Sequence, residues 1–285
     1  MVIQDAGVMA GSGGDDVAGA GLSAVSPVVV VTGETCTGKS TAAAALGAAE
    51  GLECYTASDR LVTALRGQGK AERLRSWLSD EADQCRRPDV DRATDLAVFQ
   101  DVQVAGRPLV AESVSLPALL PPDTTALVVR LAARPPVRVA RLGRLLPDLS
   151  VAQLRTILRR KDRSTVRALR AAWGVHPFPP PAAHWTADLV VQCPAQERCP
   201  DAQRCAESID AVIAAAYRVY RMYLSAEVAD ATGAADRLRE VIAGRRHHVR
   251  RCAPALLYPD TPVSVARWKR RLWTELAATR TGPAS

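Results

Sequence analysis

Residues 27–41 read PVVVVTGETCTGKST: a β-branched run passes straight into Gly33, Glu34, Thr35, Cys36, Thr37, Gly38, Lys39, Ser40 and Thr41, and then into an alanine-rich stretch. The pattern G-x-x-x-x-G-K-[ST] between a strand and a helix constrains the chain more than any other feature in it. Glycines let successive backbone N–H groups close around a polyphosphate. A helix that begins near Lys39 aims the positive end of its dipole at the same anion. In that pattern Lys39 reaches the β- and γ-phosphates, and the Ser40 hydroxyl ligates Mg²⁺. The segment therefore predicts a nucleoside triphosphate site, with residues 33–41 holding ATP.

The rest of the chain alternates between strand and helix signals, the mark of a parallel α/β sheet. Strands are expected at 28–31, 52–55, 107–111, 126–131 and 187–191, the last taken as the final strand. Helices are expected at 39–50, 59–66, 71–85, 91–102, 136–145, 151–173 and 206–228. The proline-rich stretch after Gly174 reads as an irregular loop. This gives a P-loop nucleotide-binding α/β domain over 27–229, a parallel sheet flanked by helices, with an arginine-rich helical lid at about 134–172. Residues 1–26 read as a flexible Gly/Ala/Ser tail with no basic leader and no compact apolar core, so no secretory signal is expected there. Residues 230–285 read as a basic, helical C-terminal extension that packs on the domain, mediates oligomer contacts or, less favoured, touches nucleic acid. The oligomeric state is left open.

Bulk properties fit a soluble globular chain of 285 residues, 48% hydrophobic and 24% charged. No run approaches the roughly 18 uncharged apolar residues that span a bilayer, so no membrane partner is expected. Seven scattered cysteines point to reduced thiols and a cytoplasmic location. Cys193, Cys199 and Cys205 recur at six-residue spacing, which does not match zinc-binding patterns.

The net charge of +7 is uneven. Between Arg130 and Arg170 lie eleven arginines and Lys161, opposed only by Asp148 and Asp162. A field of this kind attracts anions, and arginines are the usual clamps on a transferring phosphoryl group. Arg138 and Arg141 share a helix face, as do Arg160, Ser164 and Arg167. Two such stripes predict a lid whose arginines stay unpaired until an anion arrives. Glu112 closes the apolar segment RPLVA and is the acid placed to join Ser40 around Mg²⁺. Asp59 follows the second expected strand; it either orients an acceptor hydroxyl or caps a helix, and Arg60 stands beside it.

Together these segments resemble the cytidylate kinase family, especially its short, archaeal-like branch, over roughly residues 27–220. GETCTGKST matches the family's phosphate loop, and YTASDRL is similar to its acceptor-site segment. DVDRATDLAVFQDVQVAGRPLVAES resembles the helix and strand that bring in the metal-side carboxylate. RPPVRVARLGR looks like the first lid helix, and RRKDRSTVRALRAAWGV followed by TADLVV looks like the family's R-x-x-x-[DE]-x-x-R helix and its last strand. The resemblance implies phosphoryl transfer from MgATP to CMP or dCMP, with Lys39, Arg138, Arg141, Arg160 and Arg167 catalytic and Asp59, Arg60 and Ser164 at the acceptor. The chain departs from the family at three acceptor-side places. Val62 replaces an arginine, Ser164 replaces the acid of the second arginine helix, and Glu112-Ser113-Val114 replaces E-G-R. Those departures leave two alternatives: a same-fold kinase for another hydroxyl- or phosphate-bearing metabolite, and a non-catalytic nucleotide-binding protein.

Overall fold

The computed structural model describes residues 27–57, 78, 88–104, 107–120, 126–177, 187–193, 201–224, 228–253 and 256. The expected helices at 59–66 and 71–85 lie outside them apart from Leu78, as do Asp59, Arg60, Val62 and Cys199.

The strands are β1 (Val28–Gly33), β2 (Glu53–Thr56), β3 (Leu109–Glu112), β4 (Ala126–Ala133), β5 (Leu189–Cys193) and β6 (Val249–Cys252). They form one sheet in the order β2-β3-β1-β4-β5-β6. All neighbours are parallel except β5 and β6. β1 is buried along its whole length between β3 and β4. A strand covered on both faces reads as a continuous apolar run, which is why VVVV and ALVV show no alternation.

Helices α1 (Lys39–Glu50), α6 (Ala202–Leu224) and α7 (Val228–Gly244) cover one face. Ala43, Leu46, Val212, Ala216, Tyr220 and Leu238 meet Val29, Val31 and Val129 there. On the other face, Val98 and Val102 of α2 (Pro88–Val104) and Leu116 of α3 (Leu116–Leu119) pack on Val28, Val30 and Ala111. α4 (Pro135–Leu145) and α5 (Val151–Trp173) form a hairpin with its own small core of Val139, Leu142, Leu146, Leu154 and Leu158. The start of α5 is fixed by a reciprocal capping box between Ser150 and Gln153.

One expectation is corrected. The strand expected at 187–191 is not the last: residues within the basic segment RRHHVRRC form β6, antiparallel to β5. Its Val249 and Cys252 pack against the core, so sheet pairing overrides a composition that reads as helical surface. The helix expected at 206–228 is α6, and α7 follows it in the stretch expected as a helical extension and packs on α6. No helix among the described residues is long and apolar enough to cross a membrane.

Asp188 ties this edge of the sheet together. Its carboxylate accepts from the Val128 N–H at 2.7 Å, its own N–H donates to the Val128 carbonyl at 2.8 Å, and its carbonyl accepts from Ala253. It is only 4% exposed. Asp188→Ala strands the buried Val128 N–H and should cost about 1–3 kcal/mol, read from the urea midpoint. Asp188→Asn keeps an acceptor and should recover part of the loss. An alanine variant with an unshifted midpoint contradicts this role.

Candidate active site

β1 delivers the chain to a loop that only glycine can enter. Gly33 has φ +147°, and a Cβ there would sit 2.3 Å from the Leu131 carbonyl oxygen of β4. Gly38, in left-handed conformation, caps α1 without a side-chain hydrogen bond. The first turn of the helix therefore keeps its dipole end for a ligand. Between the glycines, the Thr37 N–H and hydroxyl both donate to the Glu34 carbonyl, at 3.3 and 2.8 Å. Lys39 Nζ donates to the same carbonyl at 3.1 Å and so spans the loop.

β3 brings Glu112 to this loop through its register with Val31. The carboxylate is nearly buried. Ser40 Oγ donates to its Oε2 at 3.4 Å, and Lys39 Nζ stands 3.8 Å from Oε1. Lys39, Ser40 and Glu112 thus meet as the sequence anticipates. A hydroxyl and a carboxylate are hard oxygen donors, a set that fits Mg²⁺ rather than a soft metal. Thr41 is exposed on α1. Among the described residues there is no cluster of three or more His, Cys, Asp or Glu that could hold a metal. Cys193 and Cys205 do approach, with their sulfurs 3.1 Å apart in the core; the hydrogen bond from Cys205 pulls the Cys193 thiol down to about 6.

The arginines of α4 do not stand unpaired. Arg138 donates from Nε to the Thr35 carbonyl at 2.7 Å and from Nη2 to both Asp162 oxygens at 2.8 and 2.6 Å. Its Nη1 lies 3.3 Å from Glu34 Oε2. Arg141 donates to the Cys36 carbonyl at 3.4 Å and also to that of Thr37. Both therefore hold the back of the phosphate loop. Spacing along the chain hid this, because three carbonyls and Glu34 of a distant segment join Asp162 as the acceptors. Cys36, at φ 61°, is partly buried, and that burial pushes its thiol up.

On α5 the expected stripe divides. Arg160 donates to the Leu78 carbonyl. Ser164 is only 8% exposed, and it is not among the residues lining the neighbouring cleft. Arg167 does line that cleft, of about 820 Å³, together with Glu34, Asp162, Arg163, Arg170 and His176. Burial lowers the pKa of His176, and Arg170 and Arg130 lower it further. Burial also lowers that of Arg130, while Glu34 opposes the shift. Sequence reasoning did not single out Arg130, Asp162, Arg163, Arg170 or His176 as site residues. The three- and four-residue spacing of Arg163, Arg167 and Arg170 was a usable signal; His176 carried none.

Beyond Glu112, a polar chain braces the cleft. Ser113 Oγ lies 3.2 Å from Ser115 Oγ, Ser115 donates to Asp95 at 2.5 Å, and Trp173 Nε1 donates to the same carboxylate at 2.8 Å. Arg92 lies over the Trp173 ring, 5.2 Å from its centre. The end of β3 is thereby tied to α2 and to the last turn of α5.

No family model matches the chain, and no curated protein matches it. Solved structures overlap with it loosely. An uncharacterized protein from Eubacterium ventriosum shares 9% identity over 58% of this chain and 87% of its own, with a TM-score of 0.40. A gluconokinase from Sinorhizobium meliloti shares 14% over 64% and 91%, with a TM-score of 0.35. A shikimate kinase from Bacteroides thetaiotaomicron shares 15% over 51% and 82%, with a TM-score of 0.29. At scores this low the fold assignment rests on the strand order and the phosphate-loop geometry.

Arg138→Ala removes a nearly buried cation and leaves Asp162 and the Thr35 carbonyl without it. Stability should fall by about 3 kcal/mol, measured by chemical denaturation. Arg167→Ala, on an exposed face, should change it by less than about 0.5 kcal/mol. Equal effects from the two would contradict the clamp.

Proposed function

We propose that the chain is an ATP-dependent small-molecule kinase. The meeting of Lys39, Ser40 and Glu112 at the head of α1 carries this reading. The loop N–H groups and the α1 terminus would hold the β- and γ-phosphates. Lys39 would exchange its bond to the Glu34 carbonyl for the phosphates. Ser40 and Glu112 would hold Mg²⁺, which when bound neutralises charge on the phosphate oxygens. In the transfer an acceptor oxygen bonds to the γ-phosphorus, the bond from that phosphorus to the β–γ bridging oxygen breaks, and ADP leaves with the electron pair. Arg138 and Arg141 act here by fixing the shape of the loop, which makes them positioning residues. Arg167 is the guanidinium of the proposed catalytic set that faces open space beside the loop.

CMP or dCMP is the proposed acceptor, on the resemblance of the α4–α5 hairpin and the phosphate loop to cytidylate kinases. The burial of Ser164 favours a second reading, a kinase of the same fold for another metabolite, because that position offers no acid to a pyrimidine.

ADP release from MgATP, measured with CMP, dCMP, UMP, AMP and no acceptor, tests both. Stimulation by CMP or dCMP is expected. Lys39→Ala should lower kcat/KM by about a hundred-fold or more with an unchanged circular dichroism spectrum; normal turnover in that variant sinks the assignment. Glu112→Gln should raise the Mg²⁺ concentration for half-maximal rate by about ten-fold. An unshifted Mg²⁺ dependence removes Glu112 from the metal site.

A further inference from the structure

Cys193 and Cys205 stand twelve positions apart in the chain, yet their sulfurs meet at 3.1 Å. Cys193 is the last residue of β5 and pairs with Ala133 at the end of β4. Cys205 stands near the start of α6, and both belong to the main core cluster, with Leu131, Val191 and Ile209. Two thiols this close can bond after a shift of about 1 Å. The sulfurs differ in character. The hydrogen bond from Cys205 pulls the Cys193 thiol down to about 6 against the effect of burial, and Arg141 and Arg144 lower it further. Burial acts the other way on Cys36, which it pushes up, and on Cys252, which it pushes up to about 12. At neutral pH Cys193 is therefore in its nucleophilic form, with a second thiol already against it. That is the arrangement of an attacking and a resolving sulfur.

We propose that Cys193 and Cys205 are a redox-responsive pair, which a hydroperoxide converts to a disulfide joining the end of β5 to the start of α6. Cys193 is 8% exposed and Cys205 2%, so the more accessible sulfur meets the oxidant, and hydrogen peroxide is small enough to reach it. The Cys193 sulfur attacks one peroxide oxygen, the oxygen–oxygen bond breaks, and hydroxide leaves a sulfenic acid. The Cys205 sulfur then attacks the Cys193 sulfur, the sulfur–oxygen bond breaks, and the departing hydroxide takes the Cys205 proton as water. The two thiols lose two electrons and two protons, and the peroxide becomes two waters. The product suits its surroundings, because a disulfide carries no charge whereas the thiolate it replaces is costly to bury. The chemistry is independent of the kinase reading and needs no nucleotide.

The test treats the full chain, reduced and freed of reductant, with hydrogen peroxide at neutral pH, followed by alkylation and peptide mapping by mass spectrometry. Cys193 should be found linked to Cys205, and the link should form about ten-fold faster than the exposed Cys54 is oxidised. Its rate should level off above neutral pH, where Cys193 is already ionised, rather than climb through the ordinary thiol range. A dithiol reductant should reverse it. Cys205→Ser keeps a hydroxyl beside Cys193 but removes the resolving sulfur, so oxidation should stop at a sulfenic acid that dimedone traps on Cys193. Cys199→Ser should still form the link. Circular dichroism checks the fold of the reduced variants, and mapping of the unsubstituted chain decides the proposal even where a variant does not fold. Oxidation of Cys54 ahead of a pair that stays reduced overturns it. So does a main product that links Cys199 to either sulfur. Stoichiometric Zn²⁺ on the reduced chain, lost in Cys205→Ser, also overturns it, since the sulfurs then serve a metal.

Discussion

Arg138 joins three separate stretches of chain: the phosphate loop at Glu34 and Thr35, its own helix α4, and α5 at Asp162. A guanidinium only 5% exposed is costly to desolvate. It is tolerated because a carbonyl and two carboxylates surround it with good geometry. The consequence is structural: the loop is held from behind, in one shape, by bonds that need no ligand. The α4–α5 hairpin is docked by the same contact, which sets the α5 arginines beside Glu34.

That arrangement divides the basic charge into two functional groups. Guanidinium groups turned toward the loop are neutralised locally and act as scaffold. Guanidinium groups on the outer face of α5 keep their charge for the cleft. A long-range field therefore survives next to a well-ordered loop, the combination that phosphoryl transfer needs: donors already aimed, with charge complementary to an incoming anion. The Asp95–Ser115–Trp173 brace adds a second tie between α5 and the end of β3, so Glu112 and the cleft share one support.

Much of this was legible in the linear chain. The strand–loop–helix unit at 28–50 was readable because glycine geometry and a lysine-serine pair leave few other structures for that segment. Among the described residues five of the six strands were readable, β1, β3 and β4 because buried parallel strands are uninterrupted apolar runs. Glu112 was readable as the acid that ends one of them. β6 was not, since its Val-Arg-Arg-Cys sequence looks like surface until β5 offers it an edge. The pairing of Arg138 was also hidden, because its partners lie 24 and about a hundred residues away and one of them is a backbone oxygen.

The sequence by itself determined the nucleotide loop, the α/β class and the surplus of arginine, because each follows from local sterics, periodicity or composition. Only the tertiary structure decided which arginines are spent on the scaffold and which face the cleft. That choice depends on which carbonyls and carboxylates the folded backbone brings within hydrogen-bond distance; helical spacing puts Arg163, Arg167 and Arg170 on one stripe but does not say which stripe finds partners.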